Sequence, residues 1–151
     1  MTGLNKVNSP WLIRSLAICT VFAMLAFSGL RVMAQDANKP WVAPDEARKV
    51  KNPVPATPEN LEAGAQLFKD NCSLCHGVKG KGDGIGAAGL TVKPANFTDA
   101  KLLALETDGS LFWKMSEGRG PMPTWKDILS ETERWQLVNY LRKLNKDANP
   151  K

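Results

Sequence analysis

A chain of 151 residues with 43% apolar and 23% charged side chains holds one modest globular domain, which excludes a large multidomain enzyme and a low-complexity chain. The formal charge of +5 falls to +2 beyond residue 34, because Lys6, Arg14 and Arg31 precede that point and no acid does. No long basic run with interleaved aromatics then remains, so a nucleic-acid partner is not expected.

Residues 1–34 read as a secretory signal peptide: Lys6 and Arg14 precede an apolar run from Leu16 to Leu30, and Val32-Met33-Ala34 supplies a small-residue cleavage site before Gln35. An uncleaved anchor is the alternative, since Trp11, Leu12 and Ile13 extend the run toward spanning length. Cys19 lies within the run behind the bulky Ile18, a poor context for lipidation. The expected location is the periplasm, with the protein either free after cleavage or tethered by its N-terminal segment. That compartment is oxidising, and the exported chain keeps two cysteines, Cys72 and Cys75.

Residues 35–57 carry Pro40, Pro44, Pro53 and Pro55 among charges without periodicity, as expected of a proline-rich arm or linker. The folded domain is expected over 58–147, with a short tail at 148–151. Its first helix starts at Thr57 as N-cap with Pro58 in the first turn, and Leu61, Ala65 and Phe68 recur at helical spacing up to Cys72. Glycines at 77, 80, 82, 84, 86 and 89 exclude a long regular element there. Another helix is expected over 108–117, stopped by Gly118, with Leu111, Phe112 and Met115 on one stripe. The last begins at the capping box Ser130-Glu131-Thr132-Glu133 and presents Trp135, Leu137, Val138, Leu141 and Leu144 on one face. Nothing alternates as a strand, so the expected class is all-α, with three to four helices. Roughly 90 ordered residues make a marginal core, and something besides protein should fill the centre.

Cys72-Ser73-Leu74-Cys75-His76 indicates what that is. Two cysteines two residues apart, followed at once by histidine, form the attachment pattern of c-type haem. Thiols one helical turn apart reach two neighbouring vinyl groups, and the adjoining imidazole reaches the iron. Structural zinc needs four ligands and usually two separated pairs, whereas Cys72, Cys75 and His76 stand alone beyond the signal. A thioredoxin-like pair would follow a strand, and a Cys72–Cys75 disulfide would close a loop too short to stabilise much. His76 is the one histidine in the chain, so a second axial ligand would be another residue type. Beyond the signal the methionines are Met115 and Met122. Met115 lies on the apolar stripe and reads as core. Met122 lies between Pro121 and Pro123, in a stiff non-helical stretch suited to presenting a thioether to a metal.

The Cys-Ser-Leu-Cys-His-Gly and Gly-Lys-Gly-Asp-Gly stretches, Gly-Arg-Gly-Pro-Met-Pro-Thr-Trp and the terminal Glu-Arg-Trp-Gln-Leu-Val-Asn-Tyr-Leu-Arg-Lys-Leu resemble a class I c-type cytochrome with a single haem, over roughly Thr57 to Asn145. The resemblance implies that Cys72 and Cys75 form the thioethers, that His76 is the proximal ligand and that Met122 is the distal ligand. It also implies a crossing of the first and last helices near Gly64, and a proline carbonyl oriented on the proximal imidazole, for which Pro94 is the candidate. A haem c with both axial positions filled shuttles single electrons rather than transforming a substrate, and thioether ligation favours the ferrous state. No pair of acids or second histidine suggests acid–base catalysis.

The expected role is thus an electron carrier between redox partners in a respiratory chain, not an enzyme. A haem-bearing subunit of a membrane oxidoreductase is the alternative, and a haem sensor or enzyme with a displaceable distal ligand is a further one. Lys79, Lys81, Lys93, Lys114, Arg119 and Lys126 are candidates for a positive rim that orients acidic partners, diluted by Asp83 and Glu117.

Overall fold

A computed structural model describes residues 40–150. The signal peptide or anchor expected over 1–34, Cys19 within it, the start of the arm and Lys151 lie outside the described residues. Six α-helices occur among the described residues: α1 (Asp45–Lys49), α2 (Pro58–Asn71), α3 (Ser73–His76), α4 (Ala100–Leu105), α5 (Asp108–Glu117) and α6 (Glu131–Ala148). Short 3-10 turns occupy Ile85–Ala87 and Trp125–Asp127. The extended pairing among these residues is a single bridge between Arg119 and Met122, so the fold is all-α.

Local chemistry sets the starts of α2 and α6 and the end of α5. The Thr57 hydroxyl accepts from the Asn60 N–H ahead of Pro58, leaving proline where its missing N–H costs nothing. Ser130 and Glu133 cap each other's backbone reciprocally at the start of α6. Helix α5 stops at Gly118, whose φ of 65° suits a residue without Cβ. Helices α1, α3 and α4 were not expected. They are too short for a periodic signal; α4 rests on Asp99, whose carboxylate accepts from Lys101 and Leu102 N–H.

Helices α2 and α6 form the main packed pair. A Cβ added to Gly64 would stand 2.3 Å from the Gln136 carbonyl oxygen and 3.0 Å from Tyr140 Cβ, so the two backbones meet where the side chain is missing. Around this crossing, Phe68, Phe97, Leu103, Leu111, Met115, Leu129, Trp135, Leu137, Val138 and Leu141 form one buried cluster. Phe68 meets Phe97 edge-on at 6.2 Å, and Phe112 stacks on Trp135 at 3.9 Å. Trp125 packs on the same cluster and Trp113 is half-buried.

Segment 40–57 is more than a tether. Ala43 is buried, Val54 packs on the core, and the Asn52 side chain donates to the Trp135 carbonyl and to Asn139 Oδ1. Helix α1 lies against the start of α5, where a Cβ on Gly109 would stand 1.9 Å from the Ala47 carbonyl oxygen. Proline density without periodicity concealed this, because side-chain amides and close backbone approach hold the arm, not an apolar stripe.

Candidate haem site

The site is built on the turn after α2. Cys72 ends that helix, and the Cys75 and His76 N–H groups both return to the Cys72 carbonyl, at 3.2 and 2.9 Å. The turn therefore places Cys72, Cys75 and His76 together. The glycine loop then folds back onto it, with Gly82 N–H on the His76 carbonyl at 2.8 Å and Gly84 N–H on the Cys75 carbonyl at 3.1 Å. Glycine is required at Gly84, where a Cβ would lie 2.3 Å from the Leu74 carbonyl oxygen, and a Cβ on Gly86 would sit a tight 3.1 Å from Cys75 Sγ.

Both cysteines are free, half-buried thiols. Burial first, and the neighbouring Cys75 second, push the Cys72 thiol up to about 12. Burial likewise pulls His76 below its usual range, against a smaller opposing effect of its bond to Ala95. The ring is consequently neutral near pH 7. Its Nδ1 lies 3.2 Å from the Ala95 carbonyl oxygen, which can only accept; Nδ1 therefore carries the proton, and the Nε2 lone pair is left for a metal. Phe97 stacks on the ring at 4.7 Å and fixes its plane.

The carbonyl partner differs from the expected Pro94. Pro94 O instead faces Gly82, where a Cβ would stand 2.4 Å away. The loop is registered by Gly82 N–H on the His76 carbonyl and Phe97 N–H on Gly80 O, and that register brings the next carbonyl, Ala95, to the imidazole.

Met122 sits at the end of a tight turn. Its N–H donates to Arg119 O at 3.2 Å, and its carbonyl accepts from Arg119 N–H at 3.1 Å. Gly120, with φ of 62°, occupies the second position, and the half-buried Met122 side chain packs on the core cluster that also contacts Cys72. Met115 is buried within that cluster.

Of the expected cationic rim, Lys114 is withdrawn into an ion pair with Glu106 and lies 5.7 Å from the Trp41 ring centroid. Lys126 pairs with Glu117 at 2.9 Å, while Lys79, Lys81 and Lys93 are exposed. Sequence reasoning missed an apolar patch beside the cysteines. Leu74, Val78 and Ile85, exposed by 64%, 76% and 83%, line a surface hollow of about 470 Å³. Val78 and Ile85 lie in the glycine-rich stretch that reads as loop, which masks them.

The donor set fits a haem attached through this turn: two free thiols on one turn, and a neutral imidazole whose outer nitrogen is held by a carbonyl. Such a fold and site define a c-type haem-attachment domain. The cytochrome c family model matches residues 61–145, and the chain belongs to that family, whose cofactor is covalently bound haem c. It is 33% identical over 98 residues to the chloroplast cytochrome c6 of Chlamydomonas reinhardtii, which covers 62% of this chain and 60% of that protein. To cytochrome c6 of Euglena gracilis it is 37% identical over 78 residues, 52% of this chain and 85% of the relative. The FixP subunit of the cbb3-type cytochrome c oxidase of Azorhizobium caulinodans is 30% identical over 122 residues, 80% of this chain and 38% of that subunit. Among solved structures, a chain of the Kuenenia stuttgartiensis reducing HAO-like protein complex superposes with a TM-score of 0.52 at 31% identity, covering 61% of this chain and 46% of that one.

Proposed function

We propose that the protein is an exported one-electron carrier in which Cys72 and Cys75 hold a single haem c by thioether bonds, with His76 and Met122 as axial ligands. The observation that carries this reading is the Nδ1–H bond from His76 to Ala95 O on the turn that bears both thiols, because it leaves Nε2 oriented and unprotonated. When bound, the haem supplies a one-electron iron couple, and a thioether ligand raises its potential. The chain's own residues do the rest. Both thiols would tether the group to one turn, Ala95 and Phe97 hold the imidazole that would bind its iron, and Met122 would supply a thioether as the second ligand. The similarity to the two cytochromes c6 supports a carrier role.

The partners are redox proteins. The exposed Lys79 and Lys81 beside the apolar Leu74, Val78 and Ile85 suit a partner with an apolar contact ringed by acids. A second reading, a haem-bearing subunit of a membrane oxidoreductase, is favoured by the similarity to FixP over 80% of this chain.

Covalent attachment is tested by extracting haem from the denatured protein with acid organic solvent. Haem should stay on the polypeptide, and Cys72→Ala with Cys75→Ala should yield little holoprotein; complete extraction from the wild type refutes the site. N-terminal sequencing of protein from a bacterial periplasm should begin at Gln35, whereas an intact N-terminus in a membrane complex supports the subunit reading. Rapid carbon monoxide binding to the reduced protein at neutral pH would instead indicate a sensor or enzyme.

A further inference from the structure

The chain leaves α5 at Glu117 and returns to the same point at Lys126. Gly118 permits the return: a Cβ there would stand 2.5 Å from Pro123 O and 2.7 Å from Met122 O, so the strand bearing Met122 passes directly against it. Two further contacts close the loop. The Thr124 hydroxyl donates to the Glu117 carbonyl at 2.9 Å, satisfying one of the carbonyls that the helix end leaves without a helical partner. Lys126 Nζ donates to both carboxylate oxygens of Glu117, at 3.1 and 2.9 Å. Glu117 therefore grips the returning chain twice, by its main chain and by its side chain. Inside that grip lies the Arg119–Met122 bridge.

We propose that the Glu117–Lys126 ion pair, with the Thr124–Glu117 hydrogen bond, is a clasp that sets how long the Met122 thioether stays on the haem iron. The inference rests on Met122 being the distal ligand, and it makes Glu117, Thr124 and Lys126 positioning residues. A thioether leaves iron only if Met122 moves. The Met122 backbone is pinned by the turn to Arg119 and by the closure at Glu117, so a release that carries the residue away from iron requires this loop to open.

The pair is exposed, with side chains 44% and 39% accessible, and such pairs contribute little to the stability of a whole fold. Here both partners bound one short loop, so whatever the pair contributes falls on the opening of that loop rather than on global unfolding. The loop-closing pair should therefore govern ligand lability while leaving the melting of the domain almost unchanged. Lys143–Asp147 is the matched control, an ion pair of similar exposure within α6 that spans no loop.

The test uses the full-length ferric holoprotein and two readouts. One is the rate at which added imidazole replaces the thioether, followed by loss of the thioether-to-iron charge-transfer band. The other is amide hydrogen exchange at Arg119 and Met122, whose N–H groups are both bonded within the loop. Glu117→Gln and Lys126→Gln should each raise both rates by about 1.5- to 5-fold, the range expected of an exposed pair. The double variant should be no faster than either single one, because one interaction is lost in all three. High salt should bring the wild type toward the variants, and Lys143→Gln should change neither rate. Unchanged rates in the two single variants, or additive effects in the double variant, overturn the clasp. If the wild type lacks the band, or Met122→Ala keeps it, the ligand reading fails and takes the role at iron with it. A band that depends on Met122, with exchange unaffected by Glu117→Gln, defeats the clasp alone.

Discussion

Ala95 acts on His76 through a main-chain carbonyl, so no change of its own side chain removes the hydrogen bond. What governs the contact is the loop register, held by Gly82 and Gly80. The two methionines separate more directly. Met122→Ala should abolish the thioether charge-transfer band of the oxidised protein, lower its potential and admit small ligands, because a turn closed by Arg119 and bracketed by prolines cannot readily offer a substitute. Met115→Leu should leave the spectrum alone and, as a nearly volume-conserving change in a buried cluster, cost less than about 1.5 kcal/mol. Absorption spectra and urea titrations of the two variants check both expectations.

Helix caps and crossings carry their own consequences. Hydrogen bonds from the Ser130 hydroxyl and backbone N–H hold Glu133 below its ordinary 4.5. A carboxylate depressed in the folded state stabilises above its unfolded value and loses that stabilisation as pH falls through the folded one. The melting difference between wild type and Glu133→Gln should therefore be present at pH 7 and shrink as the pH falls below 4.5. Ser130→Ala should cost about 1 kcal/mol at neutral pH. At Gly109 propensity and packing oppose each other: alanine favours a helix by up to about 1 kcal/mol, yet its Cβ would collide with the Ala47 carbonyl. Packing should win, because the clash is with backbone. Gly109→Ala should leave the α2–α6 core folded while exposing residues 40–57 to limited proteolysis, a pattern that mass mapping of the fragments detects.

Over the whole molecule, the charge that remains for steering is local. Lys114 and Lys126 are engaged by Glu106 and Glu117, whereas Lys79, Lys81 and Lys93 are exposed and lie outside those two pairs. Electron exchange with an acidic redox protein should slow as ionic strength rises, by about tenfold between low and physiological salt. Lys79→Gln with Lys81→Gln should flatten that dependence, as stopped-flow rates across a salt series would show. Leu74→Ser should slow the reaction at every salt concentration, since apolar contact is not screened.

The sequence by itself determined the all-α class, the starts of α2 and α6, the span of α5 and the close grouping of Cys72, Cys75 and His76. Each of these is written within a few adjacent residues: Thr57 with Pro58, Gly118, Ser130 with Glu133, and Cys72 with Cys75 and His76. Only the tertiary structure decided which carbonyl orients His76, because a one-residue shift from Pro94 to Ala95 depends on how the glycine loop folds back through Gly82 and Gly80. It likewise decided that 40–57 packs against α5 and α6, and that Glu117 closes on Lys126 around Met122. Those contacts join residues that are separate in the chain by polar atoms and by missing Cβ atoms, which leave no period in a sequence. Hydrophobic spacing reports the face a helix buries; it carries no record of the carbonyl a loop presents or the cation a carboxylate meets.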